Sequence, residues 1–290
     1  MAVTDSAGGT VLQVVELRKS YGKTHAVDGI SFAFQRGEFV GLLGPNGAGK
    51  TTTIKMLSGL IKPSAGNIAY FGKDFVTNQR FAKSTIGCVP QINNLDRDLT
   101  AYQNMYHHAL LYDITDNATN EKITEALQFA GLTNYIHRKV KTFSGGTMRR
   151  LVIARALLHQ PKILFLDEPT VGLDPQIRRD IWDYILKVNQ IKKTTILLTT
   201  HYIEEAERLC QKILIINNGR IIAEGNPDAL KQDMGHYVLE IFNEDGIEER
   251  FFDDRDAAVT SLKGCLQPCK IREVTLEDVF LKLTGRRLDA

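Results

Sequence analysis

Glu38-Phe39-Val40-Gly41-Leu42-Leu43-Gly44-Pro45-Asn46-Gly47-Ala48-Gly49-Lys50-Thr51-Thr52 is the stretch on which the fold turns. Glu38 to Leu43 reads as an apolar strand. Gly44 to Thr51 matches G-x-x-x-x-G-K-T in full, and Lys50 to Leu60 then reads as a helix stopped by Lys62-Pro63. In a strand–loop–helix context the glycines let backbone N–H groups wrap phosphates, and the helix N-terminus adds a favourable dipole. Lys50 is placed to bridge β- and γ-phosphates, and the Thr51 hydroxyl to hold Mg²⁺.

Outward from this loop, strands alternate with helices. Val11–Leu17 and Ala26–Phe34 are β-type runs, the second interrupted at Asp28-Gly29; Asn67–Phe71 and Ile86–Val89 follow. Ile163–Leu166 and Thr195–Thr199 are continuous apolar runs, as parallel strands covered on both faces should be. Between them Asp174 to Ile191 carries Ile177, Ile181, Tyr184, Ile185 and Val188 on one helical face. Leu99 to Ala130 is helical, opened by Thr100 and Gln103 as a capping box, and Ser144 to His159 is a further helix. The expected fold is α/β: a P-loop NTPase core with a mostly parallel sheet, N-terminal antiparallel strands, an inserted helical subdomain at about 91–150, and a small C-terminal α+β appendage. The boundaries are a tail at 1–10, the main domain at 11–225 and the appendage at 226–290. In the last, Asn226–Asp233 reads as a short helix, Tyr237–Phe242 as a strand, Glu244–Asp256 as a solvated loop or hairpin, and Thr275 as the cap of a final helix.

The 290 residues are 43% apolar and 24% charged with net charge +2, ordinary for a globular protein and no pointer to nucleic acid. Cys88, Cys210, Cys265 and Cys269 are too few and scattered for a disulfide framework, and no second ligand pair joins Cys265 and Cys269. The reading is a reduced, cytosolic chain without a signal peptide or a spanning run of about 20 apolar residues.

Two more segments carry chemistry. Asp167 ends an apolar strand, where a carboxylate projects into the crevice at the sheet edge. It is expected to hold Mg²⁺ through water, with Glu168 beside it as the general base. Ser144 caps a helix whose first turn, Gly145-Gly146, is bare of side chains, which makes an anion site.

The order phosphate loop, Phe143-Ser144-Gly145-Gly146-Thr147, then Ile163-Leu164-Phe165-Leu166-Asp167-Glu168 resembles the ATP-binding subunit of ATP-binding cassette (ABC) transporters over roughly residues 11–225. The resemblance implies that ATP is bound by Gly44, Pro45, Asn46, Gly47, Ala48, Gly49, Lys50, Thr51 and Thr52 of one subunit and closed over by Ser144, Gly145 and Gly146 of a second. It implies that Tyr21 stacks on adenine and that Gln91 senses Mg²⁺ and links to the helical subdomain. It implies too that Asp174, in Gly172-Leu173-Asp174, crosses the dimer interface and that His201 contacts the γ-phosphate. Thr147 stands where the family usually has Gln. Met148-Arg149-Arg150-Leu151, Cys88-Val89-Pro90-Gln91 and the tail from Thr275 resemble the type-2 exporters of drugs, polysaccharides and lipid-linked sugars. His107 and His108 are read as helix-surface residues.

The expectation is therefore an ATP-hydrolysing homodimer. It would sit on the cytoplasmic side of the inner (plasma) membrane, peripheral through a separate transmembrane permease, and drive export. Its cofactors are ATP and Mg²⁺, and it has no nucleic-acid partner. The alternatives are a soluble ABC ATPase acting on ribosomes or DNA, and a regulatory module without turnover. One cassette, the absence of a coiled-coil insertion between Lys50 and Ser144, and intact Glu168 and His201 weigh against them.

Overall fold

The computed structural model describes residues 9–116, 118–244 and 246–285. The first eight residues of the expected tail, and 286–290 of the appendage, lie outside that description. Two long strands, β1 (Thr10–Tyr21) and β2 (Thr24–Gln35), form a hairpin; β3 (Phe39–Leu43) then leads into helix α1 (Lys50–Leu57). Next come β4 (Ala65–Tyr70), β5 (Lys73–Asp74), α2 (Gln79–Thr85) and β6 (Ile86–Val89). The helical section divides into α3 (Ala101–Leu111) and α4 (Thr119–Phe129), followed by α5 (Gly145–Leu157). The core resumes with β7 (Ile163–Asp167), α6 (Pro175–Lys192), β8 (Thr195–Thr200), α7 (Ile203–Leu209), β9 (Lys212–Asn217) and β10 (Arg220–Gly225). The chain then runs through α8 (Pro227–Gln232), β11 (Tyr237–Asn243), β12 (Gly246–Phe252), α9 (Arg255–Leu262), β13 (Cys269–Glu273) and α10 (Leu276–Thr284).

The central sheet has the order β10-β9-β3-β8-β7-β6 and is parallel except for β10. Its strands explain the continuous apolar runs. Leu164, Leu166, Ile196 and Leu198 face one core with Leu151, Trp182 and Ile185. Their neighbours Ile163, Phe165 and Leu197 face the other, with Leu12, Leu17 and Phe34 of the antiparallel sheet β2-β1-β4-β5 and Ile54 and Leu57 of α1. Side chains alternate between faces along a strand, so every position is buried. Register sets the ends level: Leu43 opposes Thr200, and Asp167 opposes Thr199. The carboxyl ends of β3, β7 and β8 thus share one crevice.

The predicted capping box is present: Gln103 N–H donates to Thr100 Oγ1 (3.1 Å), and Thr100 N–H to Gln103 Oε1 (2.9 Å). His107 is exposed, as expected, but His108 is half-buried rather than fully on the surface. Its ring packs 5.0 Å from Tyr112 and 6.2 Å from His159, and burial, with nearby Arg155, pulls its pKa down to about 4. The surface expectation failed because α3 leans on the end of α5.

The acidic stretch after Asn243 forms the hairpin strand β12, in the sheet β12-β11-β13. Arg272 lies among Asp278 (2.6 Å), Glu240 (2.5 Å) and Glu249 (3.2 Å). Leu230, Met234, Val238, Leu276, Val279 and Phe280 join the same buried cluster as Leu209, Ile213 and Ile215 of the central layer. Among the described residues, no helix is long and apolar enough to cross a membrane.

Candidate active site

The loop from Gly44 to Gly49 turns tightly over β3. Gly49 has φ 108°, and a Cβ there would come 2.4 Å from the Ala26 carbonyl, so only glycine fits. Lys50, 4% exposed, turns its ammonium back over this loop. Nζ donates to the carbonyls of Gly44 (2.7 Å) and Pro45 (3.1 Å) and lies 3.2 Å from Glu168 Oε1. Burial lowers its pKa, opposed by the charges of Glu168 and Asp167.

Glu168 adopts φ 44°, uncommon for a residue with a side chain. Its N–H bonds to the Thr199 carbonyl (3.1 Å) and to Thr199 Oγ1 (3.1 Å), which hold the turn. Gln91 Nε2 donates to Glu168 Oε2 at 3.0 Å. His201 Nδ1 lies 3.4 Å from Glu168 Oε1 but is not aligned for a hydrogen bond. The Asp167 carboxylate accepts from Thr51 Oγ1 (3.1 Å) and Thr199 Oγ1 (2.7 Å) through Oδ1. Lys50 and Gln91 thus meet on Glu168, and Thr51 on the adjacent Asp167, with His201 beside them.

Asn46, Gly47, Thr51, Thr52, Gln91 and Glu168 face a cleft of about 270 Å³ over the loop. Pro45 contributes its carbonyl to Lys50, and Ala48 is buried at the base. A larger cleft, about 630 Å³, is bordered by Asp228, Lys231, His236 and Tyr237 and includes none of these residues. Size therefore does not mark the chemistry.

The remaining predicted residues do not line the phosphate-loop cleft. Tyr21, 51% exposed, ends β1 with Lys19 Nζ 5.2 Å from its ring centroid. Ser144 is exposed and caps α5, accepting from Thr147 N–H (3.3 Å), with Thr147 Oγ1 2.8 Å from its own Oγ. Thr147 thus supplies a hydroxyl partner at the helix start. Gly145 is exposed, while Gly146 is buried, and a Cβ on it would meet Ile177 Cγ2 at 2.4 Å. Asp174 is exposed and caps α6, accepting from Ile177 N–H at 3.0 Å.

Two buried charges went unnoticed in the sequence. Arg149 is 3% exposed under the turn that follows Glu168. Its position three residues after Gly146 and four before Ile153, on one helical face, was the available signal. Glu205 is fully buried and accepts from Thr170 Oγ1 (2.8 Å) and Trp182 Nε1 (2.8 Å). It is four residues past His201, on the first turn of α7, and so links the His201 end of β8 to the segment after Glu168.

Burial raises the Glu205 pKa above the 4.5 of a free glutamate, against the bonds it accepts. The folded chain therefore holds this proton to higher pH than the unfolded chain. The stability it contributes is complete below the unfolded value and is lost as pH rises through the folded one. Between about pH 5 and pH 8, the melting temperature of Glu205→Gln should gain a few degrees on the natural chain. Thermal melts with parallel pH profiles would refute this.

A parallel sheet switching at β3, a phosphate loop, and an Asp-Glu pair at the adjacent strand end define a P-loop nucleotide hydrolase of the cassette class. Residues 27–171 match the family described as "ABC transporter". The chain belongs to that family and is an ATP-binding, ATP-hydrolysing subunit of its transporters. A shorter match, residues 138–205, is to "AAA domain, putative AbiEii toxin, Type IV TA system". The Nod factor export ATP-binding protein I of Burkholderia pseudomallei (strain K96243) is 42% identical over 294 residues, covering 94% of this chain and 96% of that protein. Its counterpart in Ralstonia nicotianae is 38% identical over 305 residues, covering 96% and 95%. Among solved structures, cbiO1 from Clostridium perfringens, part of the ABC transporter complex cbiONQ, has TM-score 0.71 and 30% identity. It covers 77% of this chain and 91% of its own. A dimeric cassette, MJ0796, bound to ADP and Pi after hydrolysis, has TM-score 0.67 at 26% identity and covers 74% and 98%.

Proposed function

We propose that two copies of this chain sandwich two ATP molecules, each between Lys50 of one copy and Ser144 of the other, beneath a separate transmembrane permease. The carrying observation is the placement of Ser144. It stands exposed at a glycine-opened helix start, an anion site, outside the cleft that holds its own Lys50. Binding closes the pair because the γ-phosphate is contacted from both sides; ADP lacks that group and favours the open state.

Thr51 is bonded to Asp167 and shares its cleft with Gln91, so hydroxyl, carboxylate and amide oxygens, a donor set that fits Mg²⁺, are available at the phosphate loop. Bound there, the ion would neutralise phosphate charge. The phosphates displace Lys50 Nζ from Glu168 Oε1. That carboxylate then takes a proton from the attacking water, His201 orients the γ-phosphate, and phosphate release reopens the pair. Tyr21 would stack on the base, and Asp174 would face the partner across the interface.

The unit at 11–225, with its helical subdomain at about 91–150, would perform this cycle; 226–290 would be accessory to it. The location is the cytoplasmic face of the inner (plasma) membrane. The name of the relatives supports export as the direction, with cargo selected by the permease. A tagged chain should co-purify from the membrane fraction with a protein of about six apolar spans of roughly 20 residues. Recovery with ribosomes and no such partner would contradict the transport role.

A further inference from the structure

We propose that Arg149 is a positioning residue joining the two half-sites of one chain. It ties the Ser144 helix start, which serves the partner's ATP, to Gln91 and Glu168, which serve the chain's own. The proposal rests on the sandwich described above.

The guanidinium reaches three segments at once. Nε donates to the Pro169 carbonyl (2.6 Å), next to Glu168, and Nη1 to the Pro90 carbonyl (2.6 Å), next to Gln91. Nη1 also meets Asn93 Oδ1 (3.4 Å), and Nη2 the Asp167 carbonyl (3.3 Å). Every one of these acceptors is uncharged. A cation in a 3% exposed site with no carboxylate in contact is costly, and burial brings its pKa down to about 10 despite the field of Asp167 and Glu205. An apolar side chain here would be spared that desolvation but would leave the Pro90 and Pro169 carbonyls without their donor. The arginine supplies geometry instead: a planar fork fixes two carbonyls relative to each other, as an ammonium does not.

Arg149 is carried by α5, five residues past Ser144 on the same helix. The missing side chain of Gly146 lets that helix start pack closely on Ile177 of α6. When the partner's γ-phosphate draws on Ser144, the helix moves as a body and Arg149 moves with it. The Pro90 and Pro169 carbonyls follow, and with them the Gln91 amide and the Glu168 carboxylate. Occupation of one site thereby adjusts the catalytic geometry of the other.

The test uses the full chain and its Arg149→Met and Arg149→Lys variants. ATP affinity is read by equilibrium dialysis and hydrolysis by phosphate release against ATP concentration. In Arg149→Met, kcat should fall by roughly tenfold or more, as expected for a misplaced catalytic group. Its Hill coefficient should drop toward one with ATP affinity close to the natural value, while the lost bonds to the Pro90 and Pro169 carbonyls lower the melting temperature by a few degrees. Arg149→Lys, reaching one carbonyl at a time, should recover part of both. Unchanged kcat and Hill coefficient would overturn the proposal. So would parallel losses of affinity, kcat and melting temperature in both variants, which mark a scaffold. If Arg149→Met does not fold, Arg149→Lys decides: natural kcat and cooperativity there refute the coupling. Failure of the sandwich itself shows separately, as a Glu168→Gln chain with natural Arg149 that binds ATP and stays single.

Discussion

Glu168→Gln should lower steady-state ATP turnover by roughly a hundredfold to ten-thousandfold, the range for loss of a positioned general base. The substitution keeps the size of the side chain and removes its proton affinity. The Glu168 N–H bonds to Thr199 do not involve the side chain, so the φ 44° turn should survive. Lys50 loses its anionic partner at 3.2 Å and should be no less available to phosphate. ATP binding should therefore persist while the hydrolytic step stalls. Phosphate release at saturating ATP, beside an equilibrium binding curve, separates the two. Full turnover would remove Glu168 from the role of base.

Ser144→Asp is expected to be nearly as damaging for a different reason. Aspartate caps a helix as well as serine does, so α5 should keep its start and the chain its melting temperature. The new carboxylate nevertheless stands at an anion site and meets the γ-phosphate with like charge. Loss of one such electrostatic contact and its replacement by repulsion should reduce turnover by at least roughly a hundredfold. Because Ser144 does not line its own chain's cleft, ATP affinity of the isolated chain should stay near the natural value. A variant that binds ATP poorly as a single chain would place Ser144 in the site of its own Lys50.

Much of this was legible because local chemistry specified it. The run Glu38 to Thr52 combines an apolar strand with a loop in which Gly49 must take φ 108°, so strand, loop and helix were all readable. The alternating faces of β7 and β8 made continuous apolar runs, which pointed to a doubly covered parallel sheet. Less was legible at the other edge. Lys212–Asn217 and Arg220–Gly225 were not assigned, although they are the strands β9 and β10 that complete the sheet beside β3. β10 alternates exposed and half-buried positions with none fully buried, and its place follows from pairing with β9, a tertiary event. Arg149 and Glu205 stayed hidden because charged side chains are normally read as solvated. Their burial depends on carbonyls, a threonine and a tryptophan brought in from distant segments. His108 was misread for the same reason: its neighbour His159 belongs to another element.

The central claim is that one chain carries two halves of two sites. It is tested most directly by the solution mass of the Glu168→Gln chain, measured by light scattering on a sizing column in saturating ATP and Mg²⁺. Twice the 32.5 kDa of the chain is expected in ATP, and the single-chain mass in ADP or when Ser144→Asp is added. A Glu168→Gln chain that binds ATP and remains at the single-chain mass would contradict it.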